Sequence, residues 1–317
     1  MRFVGLVATE LRRFELRRAM RWMVGLGLLL ALVVNVVQLT RSERTTSYER
    51  IVVFGSLDSG CRTGTHDGLP VIEVRCAEKV GFEPGFEPVG HDDGQLVFVR
   101  RPDDRRVRFG QTLEETIRGL GIGLALFGVL LGSTFLAAEF GASGLSTQLL
   151  FEPRRVRVYL AKTVAVFIGA VASAAILIVW TALLQAAASA LRGSTAGIDA
   201  AWLGERAADV LRASSACGLA AVCATAIGSI TRRTVVAVGV FFGLVVATGF
   251  LSGVSWGKPL ARVSPMNALF ATGFGDLHDP DAFIGLKTLS GAVGVSLIWV
   301  VLLSCIGAWW FDRREVR

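Results

Sequence analysis

Six apolar runs, each long enough to cross a bilayer, constrain this chain more than anything else in it. They lie at 22–39, 117–138, 160–187, 211–230, 235–252 and 284–310. About 20 apolar residues at helical rise cover a hydrocarbon core of roughly 30 Å. Backbone N–H and C=O groups find no water there, so such runs must close their own hydrogen bonds as helices. Composition agrees: 52% of residues are hydrophobic and 19% charged, against about 25% charged in soluble domains. Mean hydropathy is +0.56. The expected fold class is therefore an all-α polytopic membrane protein. It has six transmembrane helices, an N-terminal amphipathic helix and a small β-rich extracytoplasmic loop domain.

The net charge of +7 invites a nucleic-acid reading. The sorting of that charge argues against it and against any nucleic-acid partner. Segments 1–21, 139–162, 231–234 and 311–317 hold 15 Lys and Arg against 6 acids; the remainder holds 18 against 20. That bias is the signature of cytoplasmic loops. It puts both termini inside a multi-pass protein of the cell (plasma) membrane.

Residues 1–21 carry six arginines against Glu10 and Glu15. Phe3, Val7, Leu11 and Phe14 share one helical stripe, which reads as a basic amphipathic helix lying on the cytoplasmic leaflet. A plain topogenic charge cluster is the other reading. The run 22–39, broken only by Asn35 and Gln38, has no small-residue cleavage site after it and reads as an uncleaved signal anchor.

Residues 40–116 alternate β-like runs (Ile51–Phe54, Val71–Val74, Leu96–Val99, Val107–Phe109) with turn material such as Asp58-Ser59-Gly60. Gly81-Phe82-Glu83-Pro84 is repeated at once as Gly85-Phe86-Glu87-Pro88, which reads as an extended connector. Cys61 and Cys76 are the cysteines of this segment. In an oxidising compartment a disulfide between them would stabilise by about 3 kcal/mol. Cys217, Cys223 and Cys305 lie in apolar runs and read as small buried packers. His66, Asp67, His91, Asp92 and Asp93 could in principle bind a metal, but no ligand spacing supports it and they read as solvated loop polars.

Three glycine pairs, Gly119/Gly123, Gly128/Gly132 and Gly239/Gly243, have the spacing that lets helices approach closely. Arg232-Arg233 form a tight turn between the fourth and fifth spans. Residues 253–283 contain apolar pieces too short to span, read as a re-entrant or interfacial extracytoplasmic segment. Residues 311–317 form a basic cytoplasmic tail.

The segment 139–162, AEFGASGLSTQLLFEPRRVRVYLAK with its leading Ala138, sits between the second and third spans. Each charge in it would cost about 2.5–3.5 kcal/mol at a bilayer centre, so it is a loop, placed at 139–159. Leu145, Leu149 and Leu150 share a helical face, and Glu152-Pro153 ends that helix. A short amphipathic helix backed by arginines suits a groove on another protein; an ordinary positive-inside loop is the bland alternative.

The pattern Glu139, Gly144, Leu149-Leu150, Pro153, Arg155, Lys162 resembles the loop between spans two and three of type-2 ABC transporter permeases. The close resemblance covers about 25 residues, and the rest of the chain matches only as topology. In that family the loop carries a coupling helix that sits in a cleft of the ATP-binding subunit. The resemblance implies two permease subunits, as a homodimer or paralogous heterodimer, with two ATP-binding subunits. It also implies export of an amphiphile such as a drug, lipid or peptide. ATP and Mg would be held by the partner, and this chain would carry no cofactor. The implied interface residues are Glu139, Gly144, Leu145, Leu149, Leu150, Pro153, Arg155 and Lys162. Arg155 and Lys162 would anchor the loop at headgroups or on acids of the ATPase. The family usually has Gly-Thr where this chain has Gly144-Leu145, so no threonine contact is implied.

The chain has no phosphate-binding loop and no hydrolase or zinc motif, so it is not expected to be an enzyme. Ionisable side chains are nearly missing from the apolar runs, which argues against ion-coupled transport. A membrane-anchored sensor or assembly factor, with 40–115 as its binding module, is the alternative from another class.

Overall fold

The structure is a computed structural model that describes residues 3–41, 49–53, 63–66, 69–72, 86–92, 95–100, 107–141, 154–194, 198–274 and 288–313. The chain divides into two compact units. One comprises Met1–Asn35, Gly110–Gln185 and Gly197–Arg317; the other comprises Val36–Phe109 and Ala186–Ala196.

The first unit is helical. Its elements are α1 (Phe3–Leu16), α2 (Arg18–Arg41), α3 (Phe109–Gly119), α4 (Gly121–Gly141), α5 (Arg155–Arg192), α6 (Ala200–Thr231), α7 (Thr234–Gly253), α8 (Lys258–Arg262), α9 (Pro265–Phe274) and α10 (Leu289–Arg313). Five of these, α2, α5, α6, α7 and α10, are long and apolar enough to cross a membrane. In α4 the apolar stretch Gly123–Leu136 is shorter. The second expected span, 117–138, is divided: α3 and α4 meet at Gly119-Leu120-Gly121, where glycines flank the joint.

Helix α6 begins eleven residues before the expected 211. Asp199 caps it by accepting from the Trp202 backbone N–H at 2.7 Å. The charges that argued for a later start are paired within the helix, Arg206 to Asp209 at 2.9 Å and Arg212 to the same carboxylate. The expected tight turn is present: α6 ends at Thr231, Arg232 adopts a left-handed φ of 57°, and α7 starts at Thr234.

One glycine pair carries the tightest packing. A β-carbon at Gly128 would overlap the Cys217 carbonyl oxygen, and one at Gly132 would overlap that of Ala221. So α4 and α6 meet backbone to backbone, and the Thr225 hydroxyl proton is shared between the Ala221 carbonyl of its own helix at 2.8 Å and the Gly132 carbonyl across the seam at 3.2 Å. Gly119, Gly123, Gly239 and Gly243 have nothing within 4 Å of a β-carbon, so those two expected packing pairs make no close approach among the described residues. Around the α4–α6 seam, Ala125, Val129, Leu219, Ala220, Ala224, Phe241, Met266 and Leu269 form the main core. Cys217 and Cys223 are buried as expected; Cys305 is instead exposed.

Helix α9 has ten residues, about 15 Å of helix, too short to span. It is buried at Met266, Asn267, Ala268, Leu269, Ala271 and Thr272. The Trp299 indole, ten residues into α10 and so about 15 Å along it, donates to the Val263 carbonyl at 2.7 Å. The α8–α9 junction therefore sits beside the middle of α10 rather than at its end.

In the second unit, β1 (Glu49–Val53) and β4 (Phe86–Asp92) flank β5 (Gln95–Arg100), both antiparallel. β2 (Thr63–His66) pairs with β3 (Leu69–Ile72), and β6 (Val107–Arg108) lies parallel to β7 (Gly193–Ser194). Pro88 falls in β4, an edge strand of its sheet and the place where a missing N–H is tolerated. Cys61 and Cys76, Asp67 and Asp93 lie outside the described residues, as does the first copy of the Gly-Phe-Glu-Pro repeat.

Candidate functional site

The helices on either side of the 142–153 segment converge with the N-terminal helix in one corner. Helix α1 forms where its stripe predicted, but rotated in use. The buried line is Leu6, Glu10, Phe14, spaced four residues apart. Val7 and Leu11 are half-buried, and Phe3 is exposed. Of the expected apolar stripe only Phe14 is buried by protein; Leu6 and Glu10, beside the stripe, complete the buried line. Leu6 packs with Val158 and Ala161 of α5. The Phe14 ring lies 5.5 Å from that of Phe135 on α4. Gly169 makes room for Phe14, since a β-carbon there would come within 2.6 Å of its ring.

An acid stands in the middle of that buried face. Glu10 Oε2 accepts from Lys162 Nζ at 2.8 Å, and both side chains are fully buried. Glu10 Oε1 accepts from Arg13 at 3.1 Å. The Arg17 guanidinium lies 4.4 Å above the Phe135 ring and donates to the Phe135 carbonyl. Lys162 Nζ lies 5.7 Å from the same ring. Lys162 was expected at a surface, on headgroups or on a partner's acids. It faces inward, because an ammonium on the protein side of α5 meets a carboxylate supplied by α1.

At the other side of the corner, Arg155 opens α5 and its guanidinium donates to the Asp312 carbonyl of α10 at 3.4 Å. The Tyr159 ring stacks against Phe311 at 5.7 Å, and its hydroxyl sits where a β-carbon on Gly307 would be. Glu139 falls in the last turn of α4. Gly144, Leu145, Leu149, Leu150 and Pro153 lie outside the described residues. The structure thus assigns positions to Arg155 and Lys162 and shows what frames the loop between α4 and α5.

Sequence reading missed Glu10 and Arg17. The signal for Glu10 was present: it lies four residues from both Leu6 and Phe14, on the face that would be buried. Lys162 was also marked, as one of only four lysines in a chain that otherwise uses arginine. Among the described residues no group of three His, Cys, Asp or Glu side chains is placed to hold a metal.

No known protein family, no curated protein and no solved structure matches this chain.

Proposed function

We propose that this chain is the transmembrane subunit of an ATP-driven type-2 ABC exporter of an amphiphilic substrate. Two such subunits pair in the plasma membrane, each with an ATP-binding partner that holds ATP and Mg. Helix α4 counts as the sixth span, beside the five long apolar helices. Both termini face the cytoplasm, 40–116 is a small β-rich extracytoplasmic domain, and α8–α9 form a re-entrant segment.

The observation that carries this reading is the braced corner. The loop that resembles a coupling helix follows α4, whose last turns hold Phe135, and precedes α5, whose second turn ends at Lys162. Both are held by the N-terminal segment, Phe135 through Phe14 of α1 and Arg17 at the joint after it, and Lys162 through Glu10 of α1. A loop that only joins two spans needs no such brace. One that takes a push from a partner must pass it to the helices without yielding. Leu145, Leu149 and Leu150 would fill the partner's groove, Gly144 would permit close approach, and Pro153 would set the turn. Glu139 and Arg155 would frame the contact, and Lys162 would hold it from within.

Co-purification in detergent tests the reading. Wild type should bring down an ATP-binding protein, and Leu149→Asp/Leu150→Asp should not. If well-folded wild type brings down none, the sensor or assembly reading takes over, and 40–115 becomes the place to look.

A further inference from the structure

Helices α1 and α2 climb along α5 in the same direction. Leu6 packs at Val158 and Ala161, Glu10 at Lys162, Phe14 at Gly169 and Gly27 at Leu177; Trp180 then donates to the Leu28 carbonyl at 3.3 Å. The Glu10–Lys162 and Leu28–Trp180 contacts share one sequence offset of 152. The Gly27–Leu177 contact has a nearby offset of 150, as for two helices rising together. On α2 the half-buried Gly27 and Ala31 lead by fours to buried Asn35, and on α5 buried Leu177 and Thr181 lead by fours to Gln185. Asn35 and Gln185 each lie eight residues beyond the Gly27–Leu177 contact, which puts them at about the same level.

Both are buried, Gln185 at 1% exposure and Asn35 at 6%. Each has its amide orientation fixed. Thr116 Oγ1 spends its proton on the Thr112 carbonyl at 2.6 Å, so it can only accept from Gln185 Nε2, at 2.6 Å. Asn35 Nδ2 donates to the Ala31 carbonyl at 2.8 Å. Besides the second N–H of each amide, what remains is Gln185 Oε1 and Asn35 Oδ1, two buried acceptors with no hydrogen-bond partner among the described residues. Unpaired buried carbonyl oxygens are rare and need an explanation. Most of α2 is otherwise exposed, including Leu29, Leu30, Val33 and Val34, so this level lies one helix in from the outer surface.

We infer that Asn35 and Gln185 form a binding site between α2 and α5 for an amphiphile whose head group donates hydrogen bonds: a primary ammonium, hydroxyl or amide. The two oxygens without a partner are acceptors, so the site favours heads that donate over anionic heads. The inference deepens the transporter reading by naming a cargo chemistry, but binding here requires no ATP-binding partner.

The test uses the full chain in nanodiscs and follows its unfolding midpoint against dodecylammonium. Dodecyltrimethylammonium, which has the same charge and no donor, is the comparison. Dodecylammonium should raise the midpoint saturably, and the trimethyl analogue should need at least tenfold more. Gln185→Leu and Asn35→Leu should each lose the dodecylammonium response while keeping an unliganded midpoint near wild type, since each removes an unpaired oxygen together with one hydrogen bond. Equal response to both probes, no response to either, or variants that bind like wild type would overturn the proposal. So would the same shift from sodium or potassium chloride alone. Failure to co-purify an ATP-binding protein would leave this result untouched, and failure here would leave the coupling reading standing.

Discussion

Removing Glu10 alone should loosen the whole N-terminal corner. At 2.8 Å and an effective dielectric of 20, the gross attraction between Glu10 and Lys162 is about 6 kcal/mol. Desolvating two ions costs several kcal/mol each, so the intact pair contributes little net stability. Breaking it is different. Glu10→Leu leaves the Lys162 ammonium with no exposure and without its carboxylate, a change that costs about 3–5 kcal/mol in comparable buried pairs. Glu10→Leu combined with Lys162→Met replaces both charges by apolar groups of similar length and should recover most of that loss. The assay is equilibrium unfolding of purified protein in mild detergent, with limited proteolysis within residues 1–16 as a local readout. The expected pattern is a large loss for each single variant, protease-sensitive α1, and near wild-type behaviour for the double. Additive losses in the double variant, or a Glu10→Leu protein as stable as wild type, would show that the pair does not organise this corner.

Other outcomes follow from the helix packing. Gly132→Ala drives a methyl into the Ala221 carbonyl and should cost about 1–3 kcal/mol. Gly243→Ala, with open space around it, should stay within about 0.5 kcal/mol in the same unfolding assay. Thr225→Val removes a hydroxyl whose proton is shared between Ala221 and Gly132 and should cost no more than roughly 0.6 kcal/mol, the mean for hydrogen bonds between membrane helices. A small thiol reagent in detergent should modify exposed Cys305 well before buried Cys217 and Cys223, read by mass spectrometry of the peptides. Labelling of Cys217 at a comparable rate would show that the α4–α6 seam opens.

Hydropathy located the long helices well, since an apolar run in lipid can be little else. It could not see helix that continues past the apolar run. Helix α6 starts eleven residues early because Arg206, Asp209 and Arg212 neutralise one another along it. Glycine spacing named three packing pairs, yet of these only Gly128 and Gly132 meet a backbone among the described residues. Spacing says that close approach is allowed; the position of the neighbour decides whether it happens. Periodicity found α1 and its apolar stripe but sent that stripe to lipid. A sequence shows that a face is apolar without showing what covers it. The Glu10–Lys162 pair joins residues 152 apart, and no local pattern reveals such a partner. The orphan oxygens of Asn35 and Gln185 were hidden for the same reason, because each is defined by what its neighbours leave unsatisfied.

The central claim is that the loop between α4 and α5 seats an ATP-binding partner. A photo-crosslinking residue placed at Leu149, with Val235 of α7 as the control position, tests it in intact membranes. The account predicts an adduct of Leu149, and not of Val235, with a protein that mass spectrometry identifies as an ATP-binding subunit. An adduct of Leu149 with lipid alone, while the same probe placed within 40–115 captures a protein, would contradict it.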